Sequence, residues 1–160
     1  MSNQSEKTFT AEEAHRFFAV NCFNNCWTIL ENNARTKEDE ELLIHLAHTS
    51  LYHWMQVGKP INQLRGEWML ARVYTVLENK ERALHHALRC LELTQQQNLN
   101  DFDLAYGYEC AARAYALNHD AANFKRYYSL AEAAEKQIKE EEDRKLFHND
   151  LTTGKWFGLK

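Results

Sequence analysis

Arg65, Trp68 and Arg72 stand at spacings of three, four and seven residues, which places their side chains on one face of a helix. Tyr106, Glu109 and Arg113 repeat that kind of stripe further along the chain. Guanidinium forks match the geometry of carboxylates, and rings beside them can stack on a peptide or another ring. An earlier stretch adds amides: Asn21, Asn24, Asn25 and Thr28 fall within roughly 100° of one helix circumference. Amides in a packed helix need partners, so this strip either pairs internally or lines a wet groove. Asn21, Asn25, Arg65, Trp68, Arg72, Tyr106, Glu109 and Arg113 therefore form a candidate ligand-binding groove. Its chemistry suits an acidic peptide segment or a carboxylate ligand. The competing reading is that Arg72 or Arg113 pairs with Glu109 or Glu67 and only locks neighbouring helices together.

Histidines offer a second chemistry. Glu41, His45 and His48 lie within about 60° of one another on a helix, with Tyr52 nearby. His and Glu on one face can ligate a metal. That face lies opposite Leu43, Ala47 and Trp54, however, and His15 is the only further ligand in prospect, so a solvated polar face is the simpler reading. His85 and His86 are adjacent, face different ways and are expected at a surface or interface. The four cysteines, Cys22, Cys26, Cys90 and Cys110, form no CxxC pair and sit among apolar residues, as buried thiols do. The sequence has no glycine-rich phosphate loop, GxSxG, HExxH or EF-hand loop. Asp101 and Asp103 are better explained as a helix cap and a first-turn charge than as catalytic carboxylates. Neither an enzyme nor a cofactor is expected.

The elements that must position these side chains are helices. One Pro and five Gly leave few breaks, and no segment alternates as a strand does. Thr10 and Thr36 each open a capping pattern. The first helix runs to about Asn33 and is apolar on most of its circumference, which marks it as packed on several sides. Gly58 ends the second helix in the position after the last turn, and Pro60 opens the third. Gly66 to Leu93 reads as two helices around a Glu78-Asn79-Lys80 turn, with Asn79 as N-cap. Breaks at Asn98–Asp101 and Asn118–Asp120 delimit a fifth and a sixth helix. Leu146, Phe147 and Leu151 indicate a short seventh.

The hairpin is repeated. Ala71-Arg72-Val73-Tyr74 returns as Ala112-Arg113-Ala114-Tyr115 after 41 residues, and Cys90 is matched by Ala131 at the same offset. With Leu70, Ala83 and Ala87 in the first unit, and Ala111, Phe124 and Tyr128 in the second, this resembles a tetratricopeptide repeat with lengthened helices. Residues 66–160, with the run before them, are similar to uncharacterised bacterial helical-repeat proteins. The resemblance implies an all-α fold: a right-handed stack of about three antiparallel helical hairpins with a short C-terminal capping helix. In such stacks the first helix of each pair lines the concave side, where the arginine stripes would face a protein or peptide partner. The expected organisation is a flexible tail over 1–9, one helical domain over 10–151, and a C-terminal tail over 152–160. Trp156, Phe157 and Leu159 suit that tail to packing back on the domain or joining a dimer contact.

Composition narrows the classes. Net charge is −4 with both signs interspersed, whereas a nucleic-acid surface needs a basic stripe. No apolar run approaches membrane-spanning length, and the opening MSNQSEKTFT is too polar for a signal peptide. The expectation is a cytoplasmic binding protein without nucleic-acid or membrane partners. A self-assembling homodimer, or a small metal protein using Glu41, His45 and His48, are the alternatives.

Overall fold

A computed structural model describes residues 8–160, all helix and connection with no strand among them. Residues 1–7 of the expected tail lie outside the described residues. Seven helices follow in order: α1 Ala11–Glu31, α2 Lys37–Val57, α3 Pro60–Val76, α4 Lys80–Gln96, α5 Asp101–Leu117, α6 Ala121–Glu135 and α7 Glu141–Thr153. Local chemistry sets their starts. Thr10 with Glu13, and Thr36 with Asp39, form reciprocal capping boxes that satisfy otherwise orphaned N–H groups. Asn79 and Asp120 accept from the third residue of α4 and α6. Pro60 occupies the first turn of α3, where its missing N–H costs nothing.

Three connections share one geometry. After α3, Glu78 takes φ 54 and Asn79 N–H reaches back to Tyr74 O at 2.9 Å. After α4, Asn98 takes φ 50 and Leu99 N–H reaches Thr94 O. After α5, His119 takes φ 58 and Asp120 N–H reaches Tyr115 O. Each is a left-handed residue that lets two N–H groups close on the last carbonyls of the helix. Gly58 follows the last residue of α2 as expected, with an extended φ of −82 and not a left-handed one. Its lack of a side chain matters for space, because a Cβ there would lie 2.5 Å from Trp54 O. Neither Asn100 nor Asp101 caps α5 with its side chain. Asp101 accepts from Lys139 N–H at 3.3 Å and so ties the start of α5 to the chain between α6 and α7.

Consecutive helices from α1 to α7 pack on one another, and α3 also meets α1 and α5, while α5 meets α7. Small residues set the close approaches: Ala71, Ala83 and Ala87 on α3 and α4, and Ala112 and Ala131 on α5 and α6, are all but inaccessible. Leu43, Ala47, Leu70 and Val73 build one apolar cluster. Ala105, Phe124, Phe147, Leu151 and Trp156 build a second. Trp68 packs against both and also against a third cluster of Leu64, Cys90 and Leu93. In the C-terminal segment, Trp156 lies against Phe124 and Tyr128, with ring centroids 5.5 and 5.0 Å away. The four cysteines are buried free thiols. Burial pushes the Cys26 thiol up to about 12, which removes the thiolate that reactivity requires.

Candidate functional site

The central hollow is built where five helices converge, with α4 contributing Cys90. Phe23 and Trp27 come from α1, Arg65, Trp68 and Arg72 from α3, Phe102 and Tyr106 from α5, and Asp150 from α7. They enclose about 460 Å³. Rings form a continuous wall: Trp27 to Trp68 at 5.7 Å, Trp68 to Tyr106 at 5.6 Å and nearly perpendicular, and Tyr106 to Phe102 at 4.6 Å. Such tilted and edge-on contacts are the favourable arrangements for aromatic quadrupoles.

Charge in this wall is distributed unevenly. Arg65 is spoken for: its Nε and Nη2 donate to the two Asp103 oxygens at 2.9 and 3.2 Å. Tyr106 Oη donates to Asp150 Oδ2 at 2.9 Å. Burial, and then the Asp150 charge, hold the Tyr106 phenol well above its ordinary range, so it stays a neutral donor. Arg72 has a different environment. Its guanidinium carbon lies 5.2 Å from the Trp27 ring centre and 5.5 Å from that of Trp68. Among the described residues it makes no hydrogen bond or ion pair with any carboxylate. Two rings hold the cation in position by cation–π attraction and leave its N–H donors free.

The remaining stripe residues have other surroundings. Glu109 is 1% exposed and ion-pairs with Arg113. Arg113 also donates to Asp150 O at 3.1 Å and Lys155 O at 3.2 Å, and its guanidinium carbon lies 4.2 Å from the Trp156 ring centre. That cation is therefore enclosed by α7 and the C-terminal segment. Asn21 and Asn25 are exposed and do not line the hollow; Asn21 Nδ2 donates to Phe17 O on its own helix. The α1 face that does line it carries Phe23, Trp27 and Glu31, at helical spacing of four.

The histidine face is not arranged for a metal. Glu41 and His45 are exposed, while His48 Nε2 shares a hydrogen bond with Tyr74 Oη at 2.9 Å. No group of three His, Cys, Asp or Glu side chains is placed to hold a metal ion among the described residues. His86, expected at a surface, is 6% exposed, stacks flat on Tyr74 at 5.5 Å and donates from Nδ1 to Glu67 Oε2 at 2.7 Å. Glu67 is thus engaged by a histidine, not an arginine. No helix among the described residues is long and apolar enough to cross a membrane.

Comparison of the sequence with protein-family models, with curated proteins and with solved structures returned no match.

Proposed function

We propose that the chain is a non-catalytic binding protein with a tetratricopeptide-like stack of helical pairs, whose ligand is a segment of another protein or a peptide. The observation that carries this reading is the free guanidinium of Arg72, clamped between Trp27 and Trp68 at the edge of a 460 Å³ aromatic hollow. A hollow that is apolar with a few convergent polar groups is the usual form of a ligand site. A fixed cation in it favours an acidic residue beside an apolar or aromatic one. The contacts of α3 with α1 and α5, and of α5 with α7, support a stack in which the first helices of successive pairs line one side. The matched ring stacks of Tyr74 on His86 and Tyr115 on Tyr127 support a repeated unit.

Selection from a random peptide library tests it. Enriched peptides should carry an acidic residue next to an aromatic, and should bind Arg72→Ala at least about tenfold more weakly, a loss of about 1.4 kcal/mol. No enrichment, or equal binding by Arg72→Ala, would sink the reading.

A second reading rests on the outer face of α1 and α2, where Phe17, Phe18, Tyr52 and Met55 are 44 to 59% exposed. A patch of that kind suits a homodimer contact. Light scattering across a concentration series distinguishes the two, because a dimer through this face leaves Arg72→Ala unaffected.

A further inference from the structure

Arg72 belongs to two hollows. Beyond it lies a second, of about 430 Å³, lined by Arg35 from the α1–α2 connection, Arg72, Arg113 from α5, and Lys155 from the C-terminal segment. Four cationic side chains from four separate segments converge there. Two are neutralised within the chain: Arg113 by Glu109, and Lys155 by Glu78. Two are not. Arg72 makes no hydrogen bond or ion pair among the described residues. Arg35 is held by its Nη1, which donates to Leu30 O at 3.0 Å and Asn32 O at 2.8 Å, and its Nε is buried without a partner. Asp150 is the one carboxylate residue lining the hollow among the described residues, and Tyr106 Oη already donates to it. Neither guanidinium is ion-paired with Asp150 or any other carboxylate among the described residues, Arg35 being bonded only through Nη1 and Arg72 not at all, which leaves donors open to an acceptor from outside.

Arginine forks prefer oxyanions that offer several oxygens, and a phosphate accepts from two forks at once. The aromatic wall adjoins this site through Arg72, so the body of such a ligand has a place beside its charge. We infer that the second hollow is an oxyanion site formed by Arg35 and Arg72, and that the ligand is an aromatic phosphate whose ring lies in the first hollow. This inference rests on the first hollow being a binding site. The same chemistry could come from a phosphorylated tyrosine in a peptide or from a free aryl phosphate.

Calorimetric titration with three probes separates the parts: phenyl phosphate, inorganic phosphate and phenol. Phenyl phosphate should bind the full chain at least tenfold more tightly than either of the others. Arg35 does not line the first hollow, so Arg35→Gln should weaken phenyl phosphate by about tenfold and leave phenol unchanged. Should Arg35→Gln fail to fold, Arg72→Gln should weaken both phenyl phosphate and inorganic phosphate, with phenol free to change because Arg72 lines both hollows. Phenyl phosphate bound equally by wild type and both variants overturns the oxyanion site. Trp27 does not line the second hollow. If Trp27→Leu changes nothing while inorganic phosphate still binds and is lost in Arg35→Gln, the oxyanion site stands and the reading of the first hollow fails. A phosphotyrosine peptide binding more tightly than phenyl phosphate identifies the peptide source, and equal binding identifies the free compound. Both support the site.

Discussion

Arg72 and Arg113 occupy matching positions in two successive helical pairs, and the chain treats them in opposite ways. Their neighbourhoods are otherwise closely alike. Tyr74 stacks on His86 with rings 5.5 Å apart at 8°, and Tyr115 stacks on Tyr127 at 5.4 Å and 8°. Each α-helix then ends in a left-handed residue, Glu78 or His119, followed by a capping side chain, Asn79 or Asp120. Within that shared frame, Arg113 is paired with buried Glu109, stacked on Trp156 and bonded to the carbonyls of Asp150 and Lys155. At the position matching Glu109 the earlier pair carries Trp68, and no carboxylate follows it to Arg72. One guanidinium is an internal fastening; the other is a donor set without an acceptor. A side chain held in place but not satisfied is what a ligand site requires.

The contrast is sharpest in stability. Arg113→Ala leaves Glu109 charged and sealed from water, and removing one partner of a buried pair costs about 3–5 kcal/mol. Arg72→Ala removes only stacking on two rings, which is worth about 0.5–2 kcal/mol. Urea denaturation of both variants measures the difference directly. Adding Glu109→Gln to Arg113→Ala should restore part of the loss, because the orphaned charge disappears. Equal losses from the two single variants would break the comparison and make Arg72 as structural as Arg113.

A smaller effect separates the same two pairs at their glycines. Gly66 and Gly107 hold matching places on α3 and α5. A Cβ at Gly66 would meet Leu51 Cδ1 at 2.8 Å and Leu51 Cβ at 3.3 Å, so the buried Leu51 side chain must shift to admit one where α2 meets α3. At Gly107 the nearest atom, Leu91 Cδ1, would lie 3.4 Å away, which is an ordinary contact. Gly66→Ala should therefore lose about 1–2 kcal/mol through overpacking. Gly107→Ala should gain about 0.5–1 kcal/mol from its lower unfolded-state entropy and better helix propensity. Thermal melts that rank the two the other way would show that α5 packs on α4 more tightly than α3 packs on α2.

The all-helical fold was legible because its signals are local. Thr10, Thr36 and Asn79 mark helix starts through bonds within three residues, Pro60 does so through its missing N–H, and the apolar periods between them follow from sequence alone. The connections were less legible, since Glu78, Asn98 and His119 are ordinary residues in a conformation that glycine usually marks. The site was partly legible. Periodicity grouped Arg65, Trp68 and Arg72 on one stripe of α3. It did not choose among the faces of α1, which is apolar on most sides, so the amide strip and the Phe23–Trp27 face were equally eligible. Only the position of α3 selects the second. Asp150 and Lys155 lay beyond any spacing argument, because they reach Arg113 across 37 and 42 residues of chain.

The polar stack distinguishes the two pairs once more, through pH. Tyr115 and Tyr127 carry no group that titrates near neutrality, whereas Tyr74 binds His48 and stacks on His86. Burial first, then the neighbouring His86 and Arg82, hold the His48 imidazole below its ordinary value, with Glu67 opposing them. A base depressed on folding takes its proton more readily in the unfolded chain. The stability it contributes is complete above the unfolded value of about 6.5 and is lost as pH falls through the lower folded one. Denaturation midpoints measured downward from pH 7 should therefore decline more steeply for wild type than for His48→Gln. Parallel curves would place the pH sensitivity elsewhere, with the His15–His53 contact at 2.7 Å the next pair to test, since His53 is lowered by burial and by His15 in the same sense. Converging curves would show that the earlier pair, which leaves its arginine free, also carries a titratable link from α2 to α3 that the later pair replaces with two tyrosines.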